Sequence, residues 1–478
     1  MNESMALTIA LPLLGGLFAA AWPRRCVSIG IASVVLSTLA VGWLWFSLDA
    51  QGPSDQALGG WTPGLGIRLH VDALSILMLS MTALVVLAIS VYASHYFTRR
   101  SQAARFWPLW LLMVAALNGL FLAGDLFNLY VTLELLGLSA VALTALGGNR
   151  AGIAAALRYL MIGLLGSMGY LAGVAMLYAA FGTLDMQQVA AQTGEDPVSQ
   201  AALIVMTTGL LLKSALFPLH FWLPPAHSNA PAPVSAALSA LVVKAGFYLV
   251  LRLWTEVFPD TISEHGATLV ALLGAGAILW GSWQALQAER LKLLAAYSTV
   301  AQLGYLFVAL ALFISAPPGL ARELLFGALV LMALTHAFAK SSLFLAIGVI
   351  LHRSGHDRIA ELGGTAQRLP ATTFAIALAG VALIGLPPSG AFLGKWRLLY
   401  GAITLEQWLL VVVIGIGSLL AAAYVFRVLG HAFGRSAYSL QAFHSIHEEW
   451  PALLLALTAT LLLGFGSAWI WPFLEHMA

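Results

Sequence analysis

Charged residues are scarce in this chain of 478 residues. Lys, Arg, Asp and Glu together make up 9% of it, and 60% is hydrophobic, whereas soluble proteins carry about a quarter charged residues. A soluble fold is excluded because almost no stretch is polar enough to form a water-facing shell. We therefore predict an all-α polytopic membrane protein in which many hydrophobic side chains face lipid.

Cysteine and the common catalytic motifs are also nearly or wholly missing. Cys26 is the one cysteine, which excludes an intrachain disulfide and argues against a cysteine-ligated metal or iron–sulfur site. The sequence lacks a GxxxxGK[ST] phosphate loop, a GxGxxG dinucleotide motif and an HExxH zinc motif. The net charge of +2 is too small to indicate nucleic-acid binding. We predict no cofactor, no metal and no catalytic site, so the chain uses an ion gradient or a driving partner.

Long apolar segments are what the sequence has in abundance. A spanning helix needs about 20 mostly apolar residues, and about fourteen segments meet this requirement. They lie near 5–22, 26–47, 72–94, 106–123, 125–146, 152–180, 198–217, 233–254, 267–287, 291–313, 322–351, 371–400, 407–430 and 451–472. The first is predicted to be a membrane helix and not a cleaved signal peptide, because no small-residue cleavage pattern follows it.

The loops between these segments alternate in charge. One set carries arginines, including Arg24, Arg25, Arg99, Arg100, Arg150, Arg290, Arg353 and Arg435, and the other carries acids, including Asp49, Asp185, Glu195, Asp260 and Glu406. Positively charged loops stay on the cytoplasmic side, so we predict an even number of spans with both termini outside. The longest outer loop, 48–70, has a Gly-rich stretch that predicts turns or a short hairpin.

Charges inside the predicted spans are the most informative residues. Lys213, Lys244, Lys340 and Lys395 fall within spans, as does Glu134. A charge at a helix centre costs about 2.5 to 3.5 kcal/mol on insertion scales. A buried lysine, unlike arginine, can give up its proton near neutral pH. The pattern indicates proton transfer, and the alternative is that the lysines form buried ion pairs that only fix helix packing.

Proline interrupts two of the spans. One break reads KSALFPLHFWLPP from Lys213, and the other reads GLPPSGAFLGK up to Lys395. Proline removes a backbone donor, and carbonyls freed at membrane depth are tolerated only where they line a wet or protein-filled cavity. Broken helices in corresponding places of two halves predict inverted repeats with a midplane ion site. The alternative to an ion site is that both breaks are ordinary proline kinks in membrane helices.

Three histidines lie near these lysines or breaks. His336 and Lys340 share a helix face because they are four residues apart, so a proton relay and a packing role are both open for His336. His220 and His227 flank the proline pair Pro224-Pro225 of the first break. They are candidates for proton uptake at the cytoplasmic mouth, and ordering of the loop is the alternative.

These motifs, in this order, resemble the signature of antiporter-like subunits found in respiratory complex I, membrane-bound hydrogenases and Mrp-type sodium/proton antiporters. The matching stretches are 213–227 with APVSAAL at 232–238, LAAYSTVAQLGY at 294–305, 336–340, and GLPPSG at 385–390. The resemblance, which covers about 60–430, implies two inverted five-helix repeats. These would be 106–255 (helices 4–8) and 266–435 (helices 9–13), preceded by three helices in 1–105 and followed by helix 14 in 436–478.

The resemblance also implies roles for the buried charges. Glu134 and Lys213 would form a buried acid–lysine pair, Lys244 would be a central link, and Lys395 would be the terminal lysine, with His336 and Lys340 in the second half. The implied partners are other membrane subunits in a bacterial cytoplasmic membrane, and the implied ions are protons, with sodium as a second candidate.

Within that family, the lysine at position 395 and the chain length favour the D subunit of Mrp-type antiporters. The chain length is informative because the largest members are expected to continue into a long lateral helix. A proton-pumping subunit of a complex I-like oxidoreductase or of a membrane-bound hydrogenase is the alternative. A membrane scaffold whose charges only pair is a third interpretation.

Overall fold

The structure, a computed structural model, describes residues 2–61, 66–435, 446–468 and 471. It is almost entirely helical. The first eleven helices of the described part are α1 (Asn2–Ala21), α2 (Cys26–Gln51), α3 (Ala73–Tyr96), α4 (Arg100–Leu122), α5 (Leu126–Thr144), α6 (Arg150–Phe181), α7 (Met186–Ala190), α8 (Pro197–Lys213), α9 (Leu223–Asn229), α10 (Ala232–Ala237) and α11 (Val243–Arg252).

The helices of the later part follow in the same manner. They are α12 (Glu264–Gln287), α13 (Leu291–Ser315), α14 (Leu320–Ser354), α15 (Thr365–Arg368), α16 (Pro370–Ile384), α17 (Gly390–Thr404), α18 (Trp408–Phe433), α19 (Ile446–Leu457) and α20 (Leu463–Phe465). π-Helical turns at Leu238–Val242 and Leu253–Val257 flank α11, and another at Thr458–Leu462 joins α19 to α20.

The predicted spans are confirmed. Among the described residues, twelve helices are long and apolar enough to cross a membrane, and the shorter apolar helices α8 and α16 belong to the two broken segments. Taken together in chain order, these make the fourteen predicted segments. Both breaks are where proline predicted them, because α8 ends at Lys213 and α16 ends at Ile384.

The predicted hairpin in the long loop is present as well. Strand β1 (Ser54–Ala57) pairs antiparallel with β2 (Arg68–Val71), with Ser54 opposite Val71 and Ala57 opposite Arg68. Residues 62–65 of the Gly-rich turn lie outside the described part of the chain. The hairpin places Arg68 and His70 immediately before the start of α3.

Contacts divide the chain into two compact units. The first unit contains residues 1–90, 97–215 and 241–266, and the second contains 91–96, 216–240 and 267–478. The first break therefore has its two sides in different units, since α8 belongs to the first and α9 to the second.

Side-chain caps fix several helix starts. Asp125 accepts a hydrogen bond from the backbone N–H of Asn128 at 2.7 Å and begins α5, and Asn149 does the same for α6 through Gly152 at 2.6 Å. In the second break, the hydroxyl of Ser389 accepts from the N–H of Phe392 at 3.2 Å and begins α17. Such caps satisfy amides that the first helical turn leaves unpaired, and they set where the charged side chains of each helix fall.

Candidate functional site

The first unit holds a lysine–glutamate pair built by three helices. Nζ of Lys213, at the end of α8, lies 3.1 Å from Oε1 of Glu134 on α5. The hydroxyl of Ser167 on α6 contacts the same carboxylate oxygen. The side chains of Lys213 and Glu134 are 9% and 17% exposed. The structure therefore brings together the acid and the lysine that the resemblance paired.

Glycines let α6 and α8 approach closely enough to form this site. A Cβ on Gly209 would lie 2.3 Å from the carbonyl oxygen of Gly166, and a Cβ on Gly166 would lie 2.7 Å from that of Gly209. No side chain fits at such distances, so the two backbones touch there. Lys213 follows Gly209 by one turn, and the contact thus directs Lys213 toward α5.

The pair lies next to an apolar surface of the chain. A shallow pocket lined by Leu138, Tyr159 and Gly163, among others, opens beside Glu134 and Lys213. Around it Leu138, Leu157, Met161 and Leu165 are 50%, 56%, 66% and 60% exposed. Two ionisable groups therefore lie just beneath a hydrophobic face, which is an expensive position for a charge in contact with lipid.

Lys244 is the second buried amine of the first unit. It is fully buried, and it lies twelve residues after the start and thirteen before the end of the span Ala232–Val257. The π-helical turn at Leu238–Val242 immediately precedes α11 and changes the direction in which the following side chains point. Lys244 is thus held near the middle of a span and away from either helix end.

An arginine–aspartate pair at the end of this helix escaped the sequence analysis. Arg252 donates two hydrogen bonds to the carboxylate of Asp72, at 2.6 and 2.7 Å. Burial by itself raises the pKa of Asp72, but the charge of Arg252 and hydrogen bonds from His70, Arg252 and Ser75 hold that pKa well below its ordinary value. The four-residue spacing of Lys244, Tyr248, Arg252 and Glu256 puts these polar side chains near one helix face, but nothing in the sequence pointed to Asp72 as the partner of Arg252.

In the second unit, Lys340 donates to oxygens of α13. Its Nζ lies 2.9 Å from the carbonyl oxygen of Ala295 and contacts the hydroxyl of Ser298. Lys340 is fully buried, and His336, one turn earlier on α14, is 4% exposed. The shared helix face that the spacing predicted is therefore an interior one.

Lys395 reaches the carbonyls that the second break sets free. Its Nζ lies 3.0 Å from the carbonyl oxygen of Ile384 and 3.3 Å from that of Leu383, at the end of α16. It also lies 3.4 Å from the hydroxyl of Ser418 and 4.0 Å from the centre of the Tyr305 ring. The C-terminal end of a helix carries partial negative charge, so the break itself provides a cation-stabilising site.

The remaining predicted residues are also interior. His227 on α9 is fully buried, with its ring 5.1 Å from that of Phe344, and His220 is 9% exposed. Proton uptake by these two histidines stays a prediction. Lys292 is buried at the start of α13 and donates to the carbonyl oxygen of Ala230.

Three of the buried lysines contact oxygen atoms of the protein. Within the described ranges, no group of three or more His, Cys, Asp or Glu side chains is arranged to hold a metal ion. Lys213 contacts a carboxylate oxygen, and Lys340 and Lys395 contact carbonyl and hydroxyl oxygens, all inside the protein.

Comparisons with known proteins show the family to which the chain is related. The family model described as NADH:quinone oxidoreductase/Mrp antiporter, TM matches residues 123–421. The chain is 40% identical to the N subunit of the NADH-quinone oxidoreductase of Desulforudis audaxviator, over 79% of this chain and 74% of the relative. It is 28% identical to the D subunit of the Na(+)/H(+) antiporter of Bacillus subtilis, over 100% of this chain and 97% of the relative.

Solved structures show the same fold. A chain of the Mrp complex from Dietzia sp. DQ12-45-1b superposes with a TM-score of 0.88 at 25% identity, covering 99% of this chain and 96% of that chain. A chain of the membrane-bound sulfane sulfur reductase, an archaeal respiratory membrane complex, gives 0.90 at 28% identity, covering 98% and 96%. The all-α membrane fold predicted from the sequence is therefore confirmed.

Proposed function

The chain belongs to the NADH:quinone oxidoreductase/Mrp antiporter transmembrane family, and on that premise we propose that it is a proton-translocating subunit of a multi-subunit cation/proton antiporter. The observation that carries the proposal is the pair of Lys213 and Glu134, with Nζ and Oε1 3.1 Å apart. One member of such a pair can control whether the other keeps its proton. The buried amines of Lys244, Lys340 and Lys395 are the further groups that would accept and release protons.

The proposed mechanism is electrostatic switching of Lys213. When Glu134 is ionised, its charge holds the proton on Lys213; when Glu134 is protonated or moves away, that proton is released. Protons then pass through water between Glu134, Lys213, Lys244, His336 with Lys340, and Lys395. His220 and His227 are the proposed sites of uptake. The two inverted repeats, with both termini outside a bacterial cytoplasmic membrane, are part of the same proposal.

The apolar face beside the pair supports association with other membrane subunits. Leu157, Met161 and Leu165 are exposed next to a pocket that contains Glu134 and Lys213. Lipid at this face would leave two ionisable groups close to hydrocarbon, whereas a neighbouring subunit can exclude lipid and supply polar partners. We propose that another membrane subunit covers this face in the assembled complex.

A proton-pumping role in a redox-driven complex is the second candidate. The 40% identity to a relative named as the N subunit of an NADH-quinone oxidoreductase favours it, while the end-to-end match to a relative named as the D subunit of a Na(+)/H(+) antiporter favours the first. The two candidates share the buried lysines and differ in what drives the protons. Sodium-driven proton flux supports the antiporter, and quinone-driven proton flux without sodium dependence supports the redox complex.

The test uses the native complex, purified with its partners and reconstituted into vesicles. Lys213→Ala is expected to abolish sodium-driven proton flux with assembly intact. Lys213→Arg is the matched variant because arginine keeps the positive charge opposite Glu134 but does not give up its proton. Loss of flux in both variants supports proton transfer through Lys213. Wild-type flux in Lys213→Arg would reduce the pair to a structural role, and flux in Lys213→Ala would remove the proposal.

A further inference from the structure

A polar cavity lies in the first unit, on the membrane face that the loop charges predict to be outside. It has a volume of about 360 Å³ and is lined by Arg68, His70, Tyr248, Arg252 and Glu256, together with backbone near the ends of α4 and α7. A cavity of this size has room for about ten water molecules. Neither the motifs nor the mechanism proposed above uses any of these side chains.

Carboxylates outnumber arginines around this cavity. Arg68 contacts Asp55 at 3.0 Å and Asp185 at 2.7 Å, and Arg252 pairs with Asp72 and Glu256. Asp125 accepts from the backbone N–H of Arg68 at 3.3 Å. Two guanidinium groups therefore face five carboxyl groups, and the cluster has an excess of negative charge that an added proton would reduce.

His70 is the group best placed to take that proton. Its Nδ1 lies 2.9 Å from Oδ1 of Asp55, and its Nε2 lies 3.8 Å from Oδ2 of Asp72. Burial lowers the pKa of His70 and Arg252 opposes its protonation, but the hydrogen bond and charge of Asp72 and the hydrogen bond to Asp55 outweigh both and raise that pKa. The side chain is 25% exposed, so protons can reach it from the cavity.

One wall of the cavity is formed by α11, the helix that also carries Lys244. Tyr248 follows Lys244 by four residues on α11, and Arg252 follows Tyr248 by four, so the three share one face at steps of about 6 Å. The hydroxyl of Tyr248 accepts a hydrogen bond from Nε of Arg252 at 2.9 Å and donates one to the carbonyl oxygen of Phe121 at 3.0 Å. Lys244 therefore lies about one helical turn along α11 from a tyrosine that lines the cavity.

We propose that this cavity is a proton-exchange site on the outer face, in which His70, held between Asp55 and Asp72, takes up and releases protons that travel to and from Lys244. This inference rests on the proposed function, because it gives that proton path an outer terminus in the first unit. In the outward step, the ammonium of Lys244 becomes an amine, Nε2 of His70 gains the proton, and the imidazolium then releases it to water. Tyr248 is a positioning residue, since it holds Arg252 and the end of α4 at the inner wall.

Transport at different outside pH values tests the site. The full complex is reconstituted into vesicles, and proton flux is measured at fixed inside pH while the outside pH is varied from about 5.5 to about 8.5, which brackets histidine titration. His70→Gln keeps hydrogen-bonding capacity without titrating in this range. We expect it to shift the midpoint of the outside-pH profile by about one pH unit or more, the usual spread of histidine pKa values.

The matched control is His265→Gln. His265 lies in the first turn of α12 on the same predicted face and is exposed, and its replacement is expected to leave the profile unchanged. An unchanged profile in His70→Gln would overturn the inference, and so would a shift of equal size in His265→Gln. A wild-type flux that does not respond to outside pH would overturn the assignment to the outer face.

A second measurement does not depend on transport. Carbethoxylation of the wild-type complex at a series of pH values, followed by mass spectrometry, gives the pKa of His70 directly, because only the neutral imidazole reacts. We expect a pKa above the ordinary value of about 6.5, and an ordinary or lower value would overturn the inference even if His70→Gln did not assemble. If Lys213→Arg loses flux but His70→Gln keeps the wild-type outside-pH profile, this inference alone fails. If the wild-type complex shows no proton flux, the proposed function fails.

Discussion

Lys213 in the first compact unit contacts a different kind of polar group from Lys340 and Lys395 in the second. In the first unit, Lys213 faces a carboxylate, Glu134, at 3.1 Å. In the second, Lys340 and Lys395 donate to backbone carbonyl and hydroxyl oxygens. A carboxylate can itself gain or lose a charge, whereas a carbonyl dipole is fixed. The first unit therefore has a lysine in contact with a titratable group, whereas the contacts named for Lys340 and Lys395 in the second unit are to carbonyl and hydroxyl oxygens.

The broken helices contribute to both arrangements. Lys213 is the last residue of α8, so it lies at the negative end of its own helix dipole. Lys395 comes after its break and instead reaches back to the free carbonyls of Leu383 and Ile384 at the end of α16. Each lysine thus uses a helix terminus created by proline, and the carboxylate is what distinguishes the first unit.

The largest expected effect comes from removing that carboxylate. Glu134→Ala leaves the ammonium of Lys213 without its charged partner in a site where both side chains are mostly buried. Breaking a buried ion pair costs about 3 to 5 kcal/mol, and we expect a loss near the lower end because the pocket beside the pair is open. The thermal unfolding midpoint of the purified complex, followed by tryptophan fluorescence, measures the loss.

A double replacement checks that the loss arises from the unpaired charge. Glu134→Gln with Lys213→Met removes both charges and keeps similar side-chain volumes, so it should recover most of the stability lost in Glu134→Ala. Transport should be absent in both variants. If the double variant is less stable than Glu134→Ala, the two charges do not act as a pair, and the contrast between the units fails.

A smaller effect is expected from separating α6 and α8. Gly209→Ala would place a Cβ 2.3 Å from the carbonyl oxygen of Gly166, so the helices must move apart and carry Lys213 away from Glu134. Overpacking of this kind costs about 1 to 3 kcal/mol. Proton flux should fall together with the unfolding midpoint, and both can be measured on the same preparation.

Gly42→Ala is the control for this change. Gly42 is also within a membrane helix, α2, but a Cβ there would meet nothing within 4 Å. The replacement should be neutral, or stabilising by up to about 1 kcal/mol because alanine favours helix. Equal losses in the two variants would mean that close approach of α6 and α8 is not what positions Lys213.

The contrast between the units could be predicted only in part from the sequence. Each apolar segment must cross lipid and each proline must open its helix, so the fourteen segments and the two breaks follow from local composition. The unusual cost of charge in a span also identified Lys213, Lys244, Lys340 and Lys395. These properties are local, and the residues that carry them could therefore be named without tertiary structure.

Contacts between residues that are far apart in the chain could not be predicted from local composition. Arg252 and Asp72 are 180 residues apart. Hydropathy predicts only that one span begins near Asp72 and another ends near Arg252. The contact of Gly166 with Gly209 likewise depends on how α6 and α8 pack. The assignment of 216–240 to the second unit arises from long-range contacts and has no local signal. The sequence therefore predicts which charged residues are buried, and the packing of the helices determines which groups each of them contacts.

The smallest expected effect concerns the neutral surroundings of Lys395 in the second unit. Nζ of Lys395 lies 4.0 Å from the centre of the Tyr305 ring, and an ammonium over an aromatic face gains about 0.5 to 2 kcal/mol. Tyr305→Leu removes the ring and should lower the unfolding midpoint and the proton flux. Tyr305→Phe keeps the ring and loses hydroxyl contacts of 3.3 and 3.4 Å to Ile414 and Ser418, which are long, so it should behave nearly as wild type. Equal loss in both variants would show that the hydroxyl of Tyr305, and not its ring, stabilises Lys395, and the contrast between the units would then rest on carbonyl and hydroxyl contacts alone.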